Sequence, residues 1–366
     1  MRANVAKKDL LPALTRTVSI ADKKSVVPIL SHVLLEFCNS GLRVKATDLD
    51  HSLLDIVPAE ISTFGTVAVP AVTLYDIIRK SPDDVTLEFS LSDKGNRCVI
   101  SSEKSRFDLA ALDHADFPEI NILDAAEKFT VPSFRLNKLI SRTRFAISPE
   151  ENRLNLSGIY FHREDVLLKA AATDGHRLST SYIDAPAGNV PGVIISRKTI
   201  FEVKKLLDVH GGDVSLTFSN NQVQFEIGDT ILISKLIDGK FPEYKKVIPE
   251  MSQDFFIVNR AKFLEIIDRL SVMSDDKLRI IKLELNKNIL LFHVSNNRLG
   301  SAKSEIALDY SGQSWSAGFN ANYLMDVASA LGGEILKVYI KGSLAPILIV
   351  DESEPESLFV IMPMRI

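Results

Sequence analysis

The chain has 366 residues, 46% hydrophobic and 25% charged, with a formal net charge of −4. This balance excludes disordered and fibrous classes and leaves room for two or three domains. The acidic sign argues against a protein that grips nucleic acid over its whole surface, because Lys and Arg carry phosphate affinity.

In chain order, a helical spacing at Leu10, Ala13 and Leu14 is followed by strand-like runs at His32–Phe37, Leu42–Ala46 and Ser52–Val57. Asn39-Ser40-Gly41 is a turn between the first two. A second helix is centred on Leu74-Tyr75-Asp76-Ile77. Three more strand runs follow at Val85–Phe89, Arg97–Ile100 and Arg106–Ala111, with Asp93-Lys94-Gly95-Asn96 as a turn. Phe117-Pro118 closes the segment.

The rest of the chain repeats this order. The first helix recurs at Leu136, Leu139 and Ile140 and again at Phe263, Ile266 and Ile267, with Ile147 extending the apolar face of the middle copy. The second recurs at Ile200-Phe201-Glu202-Val203 and at Leu324-Met325-Asp326-Val327. Ala46-Thr47-Asp48 returns as Ala172-Thr173-Asp174, and Phe117-Pro118 as Phe241-Pro242. The pattern predicts an α+β chain of three similar domains, 1–125, 126–250 and 251–366, each with two helices packed on antiparallel sheets. Boundaries fall near Asp124-Ala125-Ala126 and Pro249-Glu250-Met251. Units this large carry their own cores, unlike the short repeats of a solenoid.

Arg16, Arg142 and Arg269 stand at the same place in the three first helices, and Arg135–Arg144 holds four basic residues and no acidic one. In the third copy Lys262 and Arg269 share the stripe, diluted by Glu265, Asp268, Asp275 and Asp276. A modest basic stripe on an acidic protein suits weak, sequence-independent phosphate contact. The alternative for any one of these arginines is a solvated helix face.

Catalytic signatures are missing. Asp174, His176 and Ser179 are too close along one strand to make the base-orienting geometry of a triad, and no phosphate loop, dinucleotide loop, His-Glu-x-x-His or Gly-x-Ser-x-Gly occurs. Asp48 and Asp174 are expected to make turn hydrogen bonds at a strand end. Cys38 and Cys98 lack metal-ligand spacing and are read as buried, reduced thiols. No run approaches 18 apolar residues, and Met1–Asp9 lacks the apolar core of an export signal, so a cytoplasmic protein is expected.

What remains is binding. Gly175 permits close backbone approach, Thr173 and His176 offer polar edges, and Leu178 an apolar wall. The end of the chain, Val360-Ile361-Met362-Pro363-Met364-Arg365-Ile366, adds soft methionines suited to varied partners. From residues alone, that tail is equally a strand closing the third domain.

Ala172–Ser179, the Met-Pro-Met-Arg ending, Val27-Pro28-Ile29-Leu30, Lys235–Tyr244 and Gly318-Phe319-Asn320 together make the chain resemble, over its whole length, the bacterial sliding clamp family, the β subunit of the replicative DNA polymerase. The resemblance implies a clamp fold in which two chains joined head to tail form a pseudo-sixfold ring, helices lining the hole. It implies an accessory factor, not an enzyme, with no cofactor and no metal. The ring would slide on double-stranded DNA. Partners would be a second copy, the replicative polymerase catalytic subunit, an ATP-dependent clamp loader, and other polymerases and repair factors binding through short linear peptides; no membrane is involved.

The same resemblance implies a peptide pocket at Leu156, Thr173, Gly175, His176, Arg177, Leu178, Pro242 and Val247, completed by Asn320, Tyr323, Val360, Met362, Pro363, Met364 and Arg365. It implies DNA-facing residues Arg16, Lys24, Arg135, Lys138, Arg142, Lys198, Lys262 and Arg269. It implies an interface of Arg106, Phe107 and Leu109 against Val272, Met273 and Glu305. Two positions depart from the pattern. Leu154 and Asn155 stand where some members carry adjacent tyrosines that touch DNA, and Pro346 replaces a small polar pocket residue. The rival readings are a multidomain β-rich hydrolase and a sequence-reading DNA regulator.

Overall fold

Among the described residues six α-helices form where the apolar spacing is helical: α1 (Lys7–Ile20), α2 (Ala71–Lys80), α3 (Ser133–Thr143), α4 (Arg197–Leu207), α5 (Arg260–Ser271) and α6 (Ala321–Ala330). Leu10, Ala13 and Leu14, with their counterparts Leu136, Leu139, Ile140, Phe263, Ile266 and Ile267, are all buried. One face of each first helix therefore packs, as residues three and four apart must. The computed structural model describes residues 1–92, 95–102, 104–123, 128–150, 152–184, 190–274 and 278–365. The first boundary at Asp124–Ala126, the turn residues Asp93 and Lys94, and the diluting Asp275 and Asp276 lie outside these residues. Ile147 is a correction: α3 ends at Thr143, whose hydroxyl bonds back to the Leu139 carbonyl at 2.9 Å, and a 3-10 turn over Arg144–Ala146 precedes Ile147.

Each helix follows one strand and precedes three. The first copy runs Arg2–Ala6, α1, His32–Cys38, Gly41–Thr47 and His51–Val57, then a short extra strand Glu60–Thr63, then Gly65–Pro70, α2, Thr86–Leu91, Arg97–Ser102 and Ser105–Ala110. Among the described residues the other two copies keep this order without the extra strand.

Two compact units result, one of Met1–Ser133 with Val209–Leu236, the other of Phe134–Asp208 with Ile237–Ile366. In the first, α1 packs on α2. A five-stranded sheet ends in the edge strand Ser105–Ala110, and Thr230–Ile237 pairs antiparallel with His51–Val57, Leu232 opposite Leu53. In the second, α5 packs on α6. Ser357–Ile361 pairs antiparallel with Arg177–Asp184, Val360 opposite Leu178. A four-stranded sheet ends in the edge strand Gly300–Ala307. In both units the last strand of one copy thus continues the sheet of the copy before it. No described helix is long and apolar enough to cross a membrane.

Candidate functional site

The Ala-Thr-Asp repeat is a turn device. The Asp174 carboxylate accepts from the backbone N–H of His176 at 2.9 Å and of Arg177 at 3.0 Å, and the Thr173 hydroxyl donates to the Arg177 carbonyl at 2.6 Å. Asp48 accepts in the same way from Asp50 and His51, and Thr47 donates to the His51 carbonyl at 2.9 Å. Between the two anchors the chain takes a positive φ, +89° at Gly175 and +75° at Leu49. A third version was missed in the sequence: Asn296 accepts from the N–H of Arg298 at 2.8 Å and of Leu299 at 3.2 Å. Asparagine supplies the same short acceptor as aspartate, so the signal was present under another letter.

What the middle copy adds is Arg177. Its guanidinium donates to Asp174 at 3.0 Å, to Asp326 on α6 and to the Phe145 carbonyl, and it stacks on Tyr323, 4.4 Å from the ring centroid. These contacts engage all three nitrogens of the planar guanidinium and one of its faces. The tail is then laid beside the turn. Met362 N–H donates to the His176 carbonyl at 2.8 Å, and Met364 N–H to the Gly318 carbonyl at 2.8 Å. The tail is both a strand, up to Ile361, and a wall beyond it.

Together these segments enclose an apolar cavity of about 180 Å³. Leu156, Thr173, Gly175, Arg177, Leu178, Pro242, Val247, Val360 and Met362 line it, joined by Glu243 and Tyr244. Leu178, Tyr244 and Val360 also belong to the buried cluster beneath, with Phe241 and Leu348. Tyr244 was missed because only the one-turn helix Tyr244–Val247 aims it inward. The other six expected residues stand outside this cavity. Asn320 uses its side-chain oxygen to cap α6, accepting from Asn322 N–H at 2.9 Å, and Tyr323 lies under Arg177. His176 and Arg365 are exposed, and Pro363 and Met364 are half-buried along the tail.

Comparison with known proteins decides the family. The models of the N-terminal, central and C-terminal domains of the DNA polymerase III β subunit match residues 1–121, 130–243 and 245–365 in succession. The chain belongs to the DNA polymerase III β-subunit family. It is 37% identical to the β sliding clamp of Caulobacter vibrioides and 30% identical to that of Pseudomonas aeruginosa, each comparison covering 100% of both chains. Among solved structures, a sliding clamp from Bartonella birtlesii bound to griselimycin superposes with a TM-score of 0.96 at 38% identity, again over 100% of both chains. The protein is a replicative sliding clamp, a processivity factor without a catalytic role.

Within this clamp fold the three equivalent arginines differ, and the basic residues separate into those tied to buried carboxylates and those that are more open. Arg142 grips Glu354 with two nitrogens at 2.7 and 2.6 Å, and its side chain is only 13% exposed. Arg16 donates to the buried Asp55 at 2.5 Å. Both are held by carboxylates as internal ties. Lys24, Lys198, Lys262 and Arg269 are exposed. Arg135 and Lys138 are intermediate: Arg135 lies 3.5 Å from Asp184, and Lys138 donates to Glu356 at 2.6 Å.

The expected interface residues fall on two edge strands and at the end of α5. Arg106, Phe107 and Leu109 lie on the edge strand Ser105–Ala110, where Arg106 and Phe107 are exposed. Val272, 75% exposed, and Met273 follow α5, and Glu305 projects from the edge strand Gly300–Ala307.

Proposed function

We propose that two copies of this clamp close head to tail into a ring around duplex DNA, the three domains 1–125, 126–250 and 251–366 of each chain giving six around the circle. The observation that carries the reading is the repeated joint between copies. Thr230–Ile237 continues the sheet of the first copy and Ser357–Ile361 that of the middle copy. Applied once more, this rule leaves two strands without a partner copy in the chain, Ser105–Ala110 and Gly300–Ala307. Unpaired edges invite pairing with another chain. A heterologous contact between them, using Arg106, Phe107 and Leu109 against Val272, Met273 and Glu305, closes after two subunits.

Topology then replaces affinity. A closed ring cannot leave DNA without opening, so weak phosphate contacts from Lys24, Arg135, Lys138, Lys198, Lys262 and Arg269 suffice and sliding stays cheap. Arg16 and Arg142 support these surfaces through their carboxylate ties. The apolar cavity receives short linear peptides of the polymerase catalytic subunit, the clamp loader and other polymerases and repair factors, with Asn320, Tyr323, Pro363, Met364 and Arg365 continuing its rim. An ATP-dependent loader opens the ring, in the cytoplasm. Leu154 and Asn155 give this protein no aromatic contact to DNA at that loop, and Pro346 removes a polar group from the rim.

The test is retention on nicked circular DNA, with release after linearisation. A hydrolase or a sequence-reading regulator would not show that dependence on ends. A chain lacking Met362–Ile366 is expected to remain on the circle yet lose peptide binding; normal peptide binding by it would overturn the pocket assignment.

A further inference from the structure

A second cavity, of about 620 Å³, lies across the same wall: Pro242, Glu243 and Tyr244 line both. Its floor is aromatic. The Tyr160 ring stacks on His162, centroids 5.0 Å apart, and on Phe241, centroids 4.9 Å apart and 6° from parallel. His162 Nε2 lies 2.8 Å from the Tyr244 hydroxyl. Gly192 makes room for this floor, since a Cβ there would sit 2.3 Å from the Tyr160 hydroxyl. The rim carries Lys240, Lys245 and Lys246 against Glu243. Lys245 pairs with Glu164 and Lys246 with Glu243, at largely exposed positions. Exposed pairs are worth at most about 1 kcal/mol each, so these lysines exchange partners readily.

The repeat shows that this arrangement belongs to the middle copy. Gly158 opposite Ser196 is matched by His32 opposite Pro70 and by Ile280 opposite Asn320. Tyr160 and His162 therefore correspond to Leu34 and Glu36 in the first copy, and to Lys282 and Glu284 in the third. Those copies use the position for an internal ion pair, Lys45 to Glu36 at 2.7 Å and Lys282 to Glu284 at 3.2 Å. Only the copy that carries the peptide cavity replaces the carboxylate with an imidazole. Burial lowers the His162 pKa, which keeps the floor uncharged at neutral pH.

We propose that the second cavity is a subsite for the same partner peptides, taking an acidic segment that flanks the apolar residues seated in the first. This rests on the first cavity being the peptide pocket. A peptide leaving that cavity over the shared wall of Pro242, Glu243 and Tyr244 reaches the second, its carboxylates meeting Lys240 and Lys246 and its stems lying on Tyr160 and Tyr244.

Fluorescence anisotropy with the full chain tests it. The probes are the clamp-binding peptide of the polymerase catalytic subunit, alone or extended at either end by Asp-Glu-Asp or, as a control, Ser-Gly-Ser. One acidic extension is expected to tighten binding roughly five- to tenfold at low salt, and the gain to fade as salt rises. Lys240→Glu with Lys246→Glu should erase the gain and leave the unextended peptide unaffected. Tyr160→Leu, which copies the first repeat, should reduce the gain as well. No gain over Ser-Gly-Ser at either end, or a gain that survives the double charge reversal, overturns the proposal. An unextended peptide that fails to bind, or that binds equally to the chain lacking Met362–Ile366, overturns the pocket reading instead.

Discussion

The Arg177 guanidinium lies 4.4 Å from the centroid of the Tyr323 ring, so one side chain at the end of a strand in the middle copy fastens helix α6 of the next. Five contacts converge there: Asp174, Asp326, the Phe145 carbonyl and the rings of Tyr323 and Phe145. The pocket wall is therefore only as rigid as this junction. His51, which holds the equivalent place in the first copy, lies 3.1 Å from the carboxylate of its local Asp48.

Removing Arg177 should loosen the wall and strand a charge. Asp174 is 7% exposed, and a buried carboxylate that loses its partner costs about 3 kcal/mol or more. Arg177→Ala is expected to lower stability by that order in urea denaturation and to weaken peptide binding. Arg177→Lys should recover only part, because an ammonium cannot fork between two carboxylates and stack at once. An alanine variant as stable as the parent would show that the junction is ornamental.

The two kinds of basic residue make opposite predictions. Arg142→Ala leaves Glu354, which is 11% exposed, without its bidentate partner, and should cost about 3 kcal/mol of stability. Arg269, 62% exposed and 3.6 Å from Glu265, should cost no more than about 0.5 kcal/mol when replaced by alanine. On circular DNA the order reverses, with Lys262→Ala and Arg269→Ala together weakening DNA contact and flattening its salt dependence while the melting midpoint holds. Measuring both quantities in both variants settles the division; equal loss of stability would dissolve it.

Helix positions were legible because burial imposes a period that survives in the letters: Leu136, Leu139 and Ile140 could only share a face. The same period overran at Ile147, since spacing does not record that the α-helix ends at Thr143 and gives way to a 3-10 turn over Arg144–Ala146. The pocket side of Thr173, Gly175 and Leu178 was legible from a local motif. Glu354, 212 residues from Arg142, was not, because nothing local marks which carboxylate a helix arginine will find. Asn296 was hidden by chemistry that two residue types share, and Tyr244 by a single helical turn.

Gly175 and Leu49 occupy the same place in two versions of one turn, both at positive φ. A Cβ on Gly175 would meet only an Arg153 nitrogen at 3.4 Å, so space at the backbone is adequate and the conformational cost is about 1 kcal/mol. Gly175 also lines the apolar cavity beside the turn. Gly175→Leu, which imports the first copy's residue, is expected to reduce peptide affinity at least tenfold with only that modest loss of stability. Unchanged affinity by anisotropy would show that the peptide does not pass this side of the cavity.

Glu164 provides a pH signature of the lysine-rich rim. Hydrogen bonds from Lys245 and Lys169 hold its carboxyl down to about 2, against 4.5 for an unperturbed glutamate. The unfolded chain therefore binds a proton between pH 4.5 and about 2 while the folded chain does not, and stability falls as pH drops through that window. Above pH 4.5 the contribution is fully present, and below about 2 it is gone. Glu164→Gln removes it at every pH, so the gap between parent and variant in urea midpoint should be constant near neutrality and close as pH falls from 4.5 towards 2. Because the side chain is 38% exposed, solvent screens the pair and the gap should be small and shrink with salt. A gap that widens on acidification would mean that the Lys245 and Lys169 contacts do not hold Glu164 ionised.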